Sequence, residues 1–197
     1  MNIMIRPPSG REGFFWLLFR SFFDLNKSIR YQLRYRKLER HLLPLVYFVS
    51  FVLLIARLTD FASVRENYIY QEFQYARLSS LIVVHVFFLP LFLYILGVLI
   101  HWLLILFGTT ATYFQTRLAF LWALTICSPI ILVSSLAKVF ILNSNGRFVL
   151  ILVSELMVIY VLGVMLSIVS HFNNRKIVVI SLMVIYFFLN IVVTSYI

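Results

Sequence analysis

The chain alternates long apolar runs with short polar breaks. Five runs stand out, over about 42–58, 80–107, 118–141, 148–170 and 176–197. At about 1.5 Å per helical residue, each can cross roughly 30 Å of hydrocarbon, the first only barely. Backbone inside hydrocarbon must satisfy its own hydrogen bonds, which favours full helices over irregular dips. The pattern predicts an all-α polytopic integral membrane bundle of about five transmembrane helices. A count of four, with the first run re-entrant, is the alternative. Pro44 falls in the first turn of the first run, where a missing amide costs little.

The region ahead of these runs has a different pattern. "SGREGFFWLLFRSFFDL", 9–25, reads as one amphipathic helix. Ser9 and Glu12 have capping-box spacing, and Pro7 and Pro8 block extension backward. Arg20, Asp24 and Lys27 fall at i, i+4 and i+7 as a polar face, with Phe15, Leu18, Phe19 and Phe22 opposite. The run is too short to span, so it either lies in the headgroup region or docks on the protein's own spans. "KSIRYQLRYRKLERH", 27–41, is basic and helical in pattern, with Arg30, Arg34 and Lys37 on one face. Arg30, Arg34, Arg36 and Lys37 form the expected lipid-headgroup set. The chain therefore divides into a basic interfacial arm, 1–41, and a five-span domain, 42–197.

Composition supports the lipid reading. The chain is 62% apolar and only 12% charged, with a mean hydropathy of +0.98. A soluble domain carries about twice that charged fraction. The net charge of +10 raises nucleic acid as a partner, but nine of the 17 Lys and Arg lie in the first 40 residues, beside the first apolar run. Such a flank marks the cytoplasmic side and attracts anionic lipid. No nucleic-acid partner is expected. With the N-terminus inside and five spans, twelve cations face in and five face out, and the C-terminus lies outside. The outside loop 59–79 is Tyr-rich and reads as an interfacial resting helix carrying Tyr68, Tyr70, Phe73 and Tyr75. A bacterial inner membrane is expected, with a eukaryotic organelle membrane as the alternative.

A polar knot, "GTTATYFQTR", separates the second and third runs. Gly108 suits a helix C-terminus, and Thr109, Thr110 and Thr112 suit a turn. Pro129 should kink the third span, with Ser128 or Thr125 re-satisfying the freed carbonyl. The segment "LLILFGTTATYFQTRLAFLWALTICSPIILVSSL" resembles the central part of the Yip1-domain family of membrane proteins. The basic turn "HFNNRKI", 171–177, is similar to that family's turn between its last two spans. The resemblance covers about residues 42–197. It implies five spans, a cytosolic N-terminus and a non-enzymatic role in membrane organisation. The basic arm stands where eukaryotic members have a longer N-terminal region with a "DLYGP"-like segment, so Rab GTPase binding is not carried over.

Few residues offer chemistry. Glu155 is the one acid inside an expected span, where a carboxylate costs about 2.5–3.5 kcal/mol or more. It is either a proton or cation site, or an interhelical hydrogen-bonding group facing Lys138, Ser134, Asn190 or a neighbouring subunit. Asn190 can bond across helices, and Gly163 with Ser167 makes a small-xxx-small step for close helix approach. Pro129, Lys138, Glu155, Gly163 and Asn190 are thus the expected intramembrane assembly residues. His85 and His101 lie sixteen residues apart on one helix, about 24 Å, and cannot share a metal. The lone Cys127 reads as a packing residue. No catalytic constellation, phosphate loop, metal site or cofactor is expected. The leading expectation is a non-enzymatic scaffold or assembly partner, with anionic lipid and a protein partner or second copy as its contacts. A small transporter or channel subunit using Glu155, and an accessory subunit of a large membrane complex, are the alternatives.

Overall fold

A computed structural model describes residues 14–36, 38–63, 71–141, 144–172, 178–184 and 186–187. The described residues are mostly helical, joined by short turns and irregular links, with no strand among them. The helices are α1 (Phe14–Phe23), α2 (Leu25–Tyr35), α3 (Leu43–Ser63), α4 (Gln71–Val83), α5 (Leu89–Leu106), α6 (Tyr113–Phe140) and α7 (Ser144–Val169). A 3₁₀ turn, Glu39–His41, leads into α3, and residues 178–184 are helical beyond α7. Four helical stretches are long and apolar enough to cross a membrane: Glu39–Thr59, Tyr75–Leu106, Tyr113–Phe140 and Asn145–Val169. The fifth expected span falls only partly among the described residues.

The arm departs from the single helix expected over 9–25. Asp24 breaks it, because the carboxylate accepts the Lys27 amide at 3.0 Å and caps a new helix, α2. Arg20 and Lys27 therefore lie on different helices, with Asp24 at the joint between them and the charge of both cations acting on its carboxylate. Asp24 also pairs with the Lys27 ammonium at 2.7 Å. The expected cap at Ser9 and Glu12 lies outside the described residues.

The second apolar helix begins well before residue 80. α4 runs into α5 through one π-helical turn, Val84–Phe88. The cause is Pro90, which has no amide to offer the carbonyl four residues back and whose ring would clash with it. Widening the preceding turn accommodates both. Residues 71–79, expected as part of a separate interfacial resting helix, are helical but extend this helix; they contain neither Pro nor Gly. Tyr68 and Tyr70 lie outside the described residues.

The 107–112 knot is a turn with both helix ends closed. The Gly108 amide donates to Ile105 and the Thr109 amide to Leu104, with Gly108 at φ +75°. This is the Schellman pattern, which needs a left-handed residue at that place. Thr112 then opens α6 with a capping box: its hydroxyl accepts the Gln115 amide, and Gln115 Oε1 accepts the Thr112 amide at 2.9 Å.

α6 is the central helix. Two-thirds of its most apolar stretch (67%) is buried, against 17% for Tyr75–Leu106, so α6 forms the core and α5 the lipid-facing wall. α3, α5 and α7 all pack on α6. Leu45, Val46 and Val49 meet Leu118, Leu121, Trp122 and Ile126, with Met165 and Leu166 from α7. Pro129 sits inside α6 without leaving a bare carbonyl, because the Ser128 hydroxyl donates to the Thr125 carbonyl at 2.8 Å. That carbonyl is the one the Pro129 amide would have bonded.

Candidate functional site: the arm dock and the polar latch

The arm folds back onto the bundle at Trp122. The indole is fully buried, and its Nε1–H donates to Ser28 Oγ at 2.7 Å. Ser28 donates to Ser21 Oγ at 2.6 Å, and Ser21 donates to the Leu17 carbonyl at 2.6 Å. This chain ties α6, α2 and α1 together with every donor used. Phe14 sets its ring edge-on to Phe48 of α3 and to Trp122, at 5.1 and 6.3 Å. The Arg36 guanidinium lies 5.9 Å from the Trp122 ring. Leu18 and Ile29 are buried beneath the two arm helices. Of the two expectations for the arm, docking on the protein's own spans is the one this packing realises for its inner face.

A second cluster closes the same end of the bundle. Glu39, in the turn before α3, accepts from Arg117 at 2.5 Å and from the Tyr94 hydroxyl at 2.6 Å. The Arg117 guanidinium also lies 4.9 Å from the Tyr94 ring. Three elements, the 3₁₀ turn, α5 and α6, thus meet on one carboxylate. Gly97 makes room for this, since a Cβ there would stand 3.0 Å from Arg117 Cγ. One turn nearer the 107–112 turn, His101 is buried, with Nδ1 2.9 Å from Thr116 Oγ1 and its ring against Tyr113.

The expected site residues are dispersed. Glu155 is exposed on α7 and accepts a hydrogen bond from the Tyr186 hydroxyl. Tyr186 is not among the expected partners; of those, Ser134 donates to the Ile131 carbonyl. Lys138 lies in the last turn of α6, where a cation suits the helix dipole. Pro129 lines an open apolar groove of about 300 Å³ between α6 and α7, with Val133, Ser134, Leu150, Ser154 and Met157. Gly163 is buried, and a Cβ there would stand 2.8 Å from Val179 Cγ2. Asn190 and Lys37 lie outside the described residues. Arg30 and Arg34 are exposed on α2. Arg36 is turned inward: its Nε donates to Gln32 Oε1 at 2.6 Å and its Nη1 to the His41 carbonyl at 2.8 Å. Burial also pushes its guanidinium pKa down from the ordinary value. Two of its three nitrogens thus serve the dock.

Sequence reasoning missed Glu39, Tyr94, Trp122 and Tyr186. Only Glu39 carried a signal. It is the single acid between Asp24 and Asp60, in a stretch dense with cations. Among the described residues no group of three or more His, Cys, Asp and Glu gathers that could hold a metal.

Comparison with known proteins agrees with this architecture. A family model described as the Yip1 domain matches residues 29–197, so the match begins inside α2 and takes in the bundle side of the dock but not α1 or Ser28. No curated protein and no solved structure matches the chain.

Proposed function

Because the chain belongs to the Yip1-domain family and is an integral membrane protein, we propose that it works as a non-enzymatic membrane organiser. The observation that carries this is where the polar groups go. Glu39 with Arg117, His101 with Thr116, Trp122 with Ser28, and Glu155 with Tyr186 bind one element to another. They hold helices together, while Arg30, Arg34 and Arg40 point outward from one end. That cationic end suits anionic phospholipid on the cytoplasmic leaflet of a bacterial inner membrane, with the N-terminus inside. Protein partners or a second copy would assemble on the lipid-facing walls.

Native mass spectrometry of the full chain in mild detergent tests the lipid part. Bound phosphatidylglycerol should exceed bound phosphatidylcholine, and Arg30→Glu with Arg34→Glu should erase the difference. Equal retention of both lipids by the unaltered chain would sink the reading. Proteins that copurify would name the assembly partners.

One observation favours a second reading, a small transporter or channel subunit. Glu155 is an exposed carboxylate within an apolar helix, and such groups mark ion or proton pathways. Proton flux into vesicles holding the full chain, lost in Glu155→Gln, would support it.

A further inference from the structure

The outer face of α1 is as apolar as its inner face. Trp16, Phe19 and Phe23 are 55, 60 and 79% exposed and lie at i, i+3 and i+7. Their rings touch one another, Trp16 to Phe19 at 6.2 Å and Phe19 to Phe23 at 5.3 Å. The inner face is already spent on Phe48 and Trp122. A helix lying in water would not carry a contiguous aromatic stripe of this kind.

Two independent measures give the depth at which α1 sits. Trp122 is five residues past Arg117 along α6, about 8 Å. Phe48 is five residues past Leu43, the first residue of α3, again about 8 Å. The Glu39–Arg117 pair, with Glu39 half exposed, belongs at headgroup level. Phe14 therefore meets the bundle about halfway into one leaflet, whose hydrocarbon is about 15 Å deep. It does so on the sides of α3 and α6, not on their ends. The outward stripe is then continuous with the lipid-facing wall of the bundle. The exposed cations on α2, Arg30 and Arg34, lie on the helix whose end returns to the polar turn, where Arg36 donates to the His41 carbonyl.

We propose that α1 is a one-leaflet wedge: Trp16, Phe19 and Phe23 sit among the acyl chains of the leaflet that faces the arm, and the α2 cations hold its phosphates. The occupant of the stripe is lipid. This rests on the organiser reading for the phosphate contact but not for the aromatic seat. In this geometry the chain adds cross-section to one leaflet only.

Nitroxide depth measurements on the reconstituted full chain test it. Phe19→Cys and Phe23→Cys, each in a Cys127→Ser background, carry the label on the stripe, and Trp16→Cys is a third reporter should one of these fold poorly. Arg30→Cys and Arg34→Cys label the α2 face. In vesicles of mixed anionic and zwitterionic phospholipid, the ratio of oxygen to water-soluble nickel collisions should be severalfold higher on the stripe than on α2. Nickel access at 19 and 23 would place the stripe in water and overturn the wedge. Shielding from both reagents would mean a protein cover, such as a second copy, and would overturn it equally. Repeating the measurement in purely zwitterionic vesicles separates the two readings. Retained depth there supports the aromatic seat even if the anionic-lipid preference fails.

Discussion

Ser128 matters only because Pro129 follows it. The proline leaves the Thr125 carbonyl without an amide, and the Ser128 hydroxyl fills the place at 2.8 Å. Intramembrane side-chain bonds of this sort are worth about 0.6 kcal/mol on average, and an orphaned carbonyl up to about 1–3. Ser128→Ala should thus lower stability by about 1 kcal/mol with Pro129 present, read from unfolding in a mixed-detergent series. In a Pro129→Ala background the restored amide takes the carbonyl, and the same Ser128 change should become nearly neutral. Equal effects in both backgrounds would refute the substitution of hydroxyl for amide. Asp24 allows a test by pH. The Lys27 side chain, and then the Lys27 amide, hold its carboxyl pKa below the ordinary 3.8. A depressed folded value means the cap is fully present above about pH 3.8 and is lost as pH falls through the lower folded value. Protease sensitivity between α1 and α2 should therefore rise at acid pH. Asp24→Asn, which keeps a capping oxygen but cannot titrate, should flatten that rise.

At the level of the elements, two glycines set how closely helices approach, and they differ in what stands opposite. At Gly97 the obstacle is the Arg117 side chain. At Gly163 it includes the Val179 Cα at 3.1 Å, which is backbone and cannot turn aside. Gly163→Ala should therefore push the 178–184 helix off α7 and lower the unfolding midpoint more than Gly97→Ala does. Faster amide exchange over 178–184 in Gly163→Ala alone would show it; equal loss from both changes would count against it. The elements differ in how far the sequence reveals them. The apolar runs are long and uninterrupted, so α3, α5, α6 and α7 are legible from hydropathy, and the Gly-Thr knot from its turn chemistry. The break at Asp24 was hidden, because Arg20, Asp24 and Lys27 fit one helical face as well as they fit a cap between two helices. The π turn at Val84–Phe88 answers to Pro90, whose effect on the preceding turn leaves no trace in apolar periodicity. The site is the least legible part. Trp122 bonds to Ser28 and Arg117 to Glu39 across 94 and 78 residues, and no local pattern marks such pairs.

For the whole molecule, the number of crossings decides which side each tail occupies. The expected first span, 42–58, would give about 26 Å of helix, short for hydrocarbon of about 30 Å. α3 runs from Leu43 to Ser63, which is 21 residues and about 32 Å. That length removes the physical reason for treating this segment as re-entrant, since a complete helix also satisfies its own backbone. The arm, the start of α3, the 107–112 turn and the start of α6 share one end through the Trp122 dock and the Glu39–Arg117 pair. Whichever side holds the arm also holds Arg117, and the weight of cations argues for the cytoplasm. Single cysteines at Lys27 and Tyr196, with Cys127 changed to Ser, test the arrangement in cells and in inverted membranes. A membrane-impermeant thiol reagent should reach Lys27→Cys only from the cytoplasmic side and Tyr196→Cys only from the opposite side. Labelling of both from one side would require an even number of crossings and would return the first apolar run to a re-entrant dip, despite the length of α3.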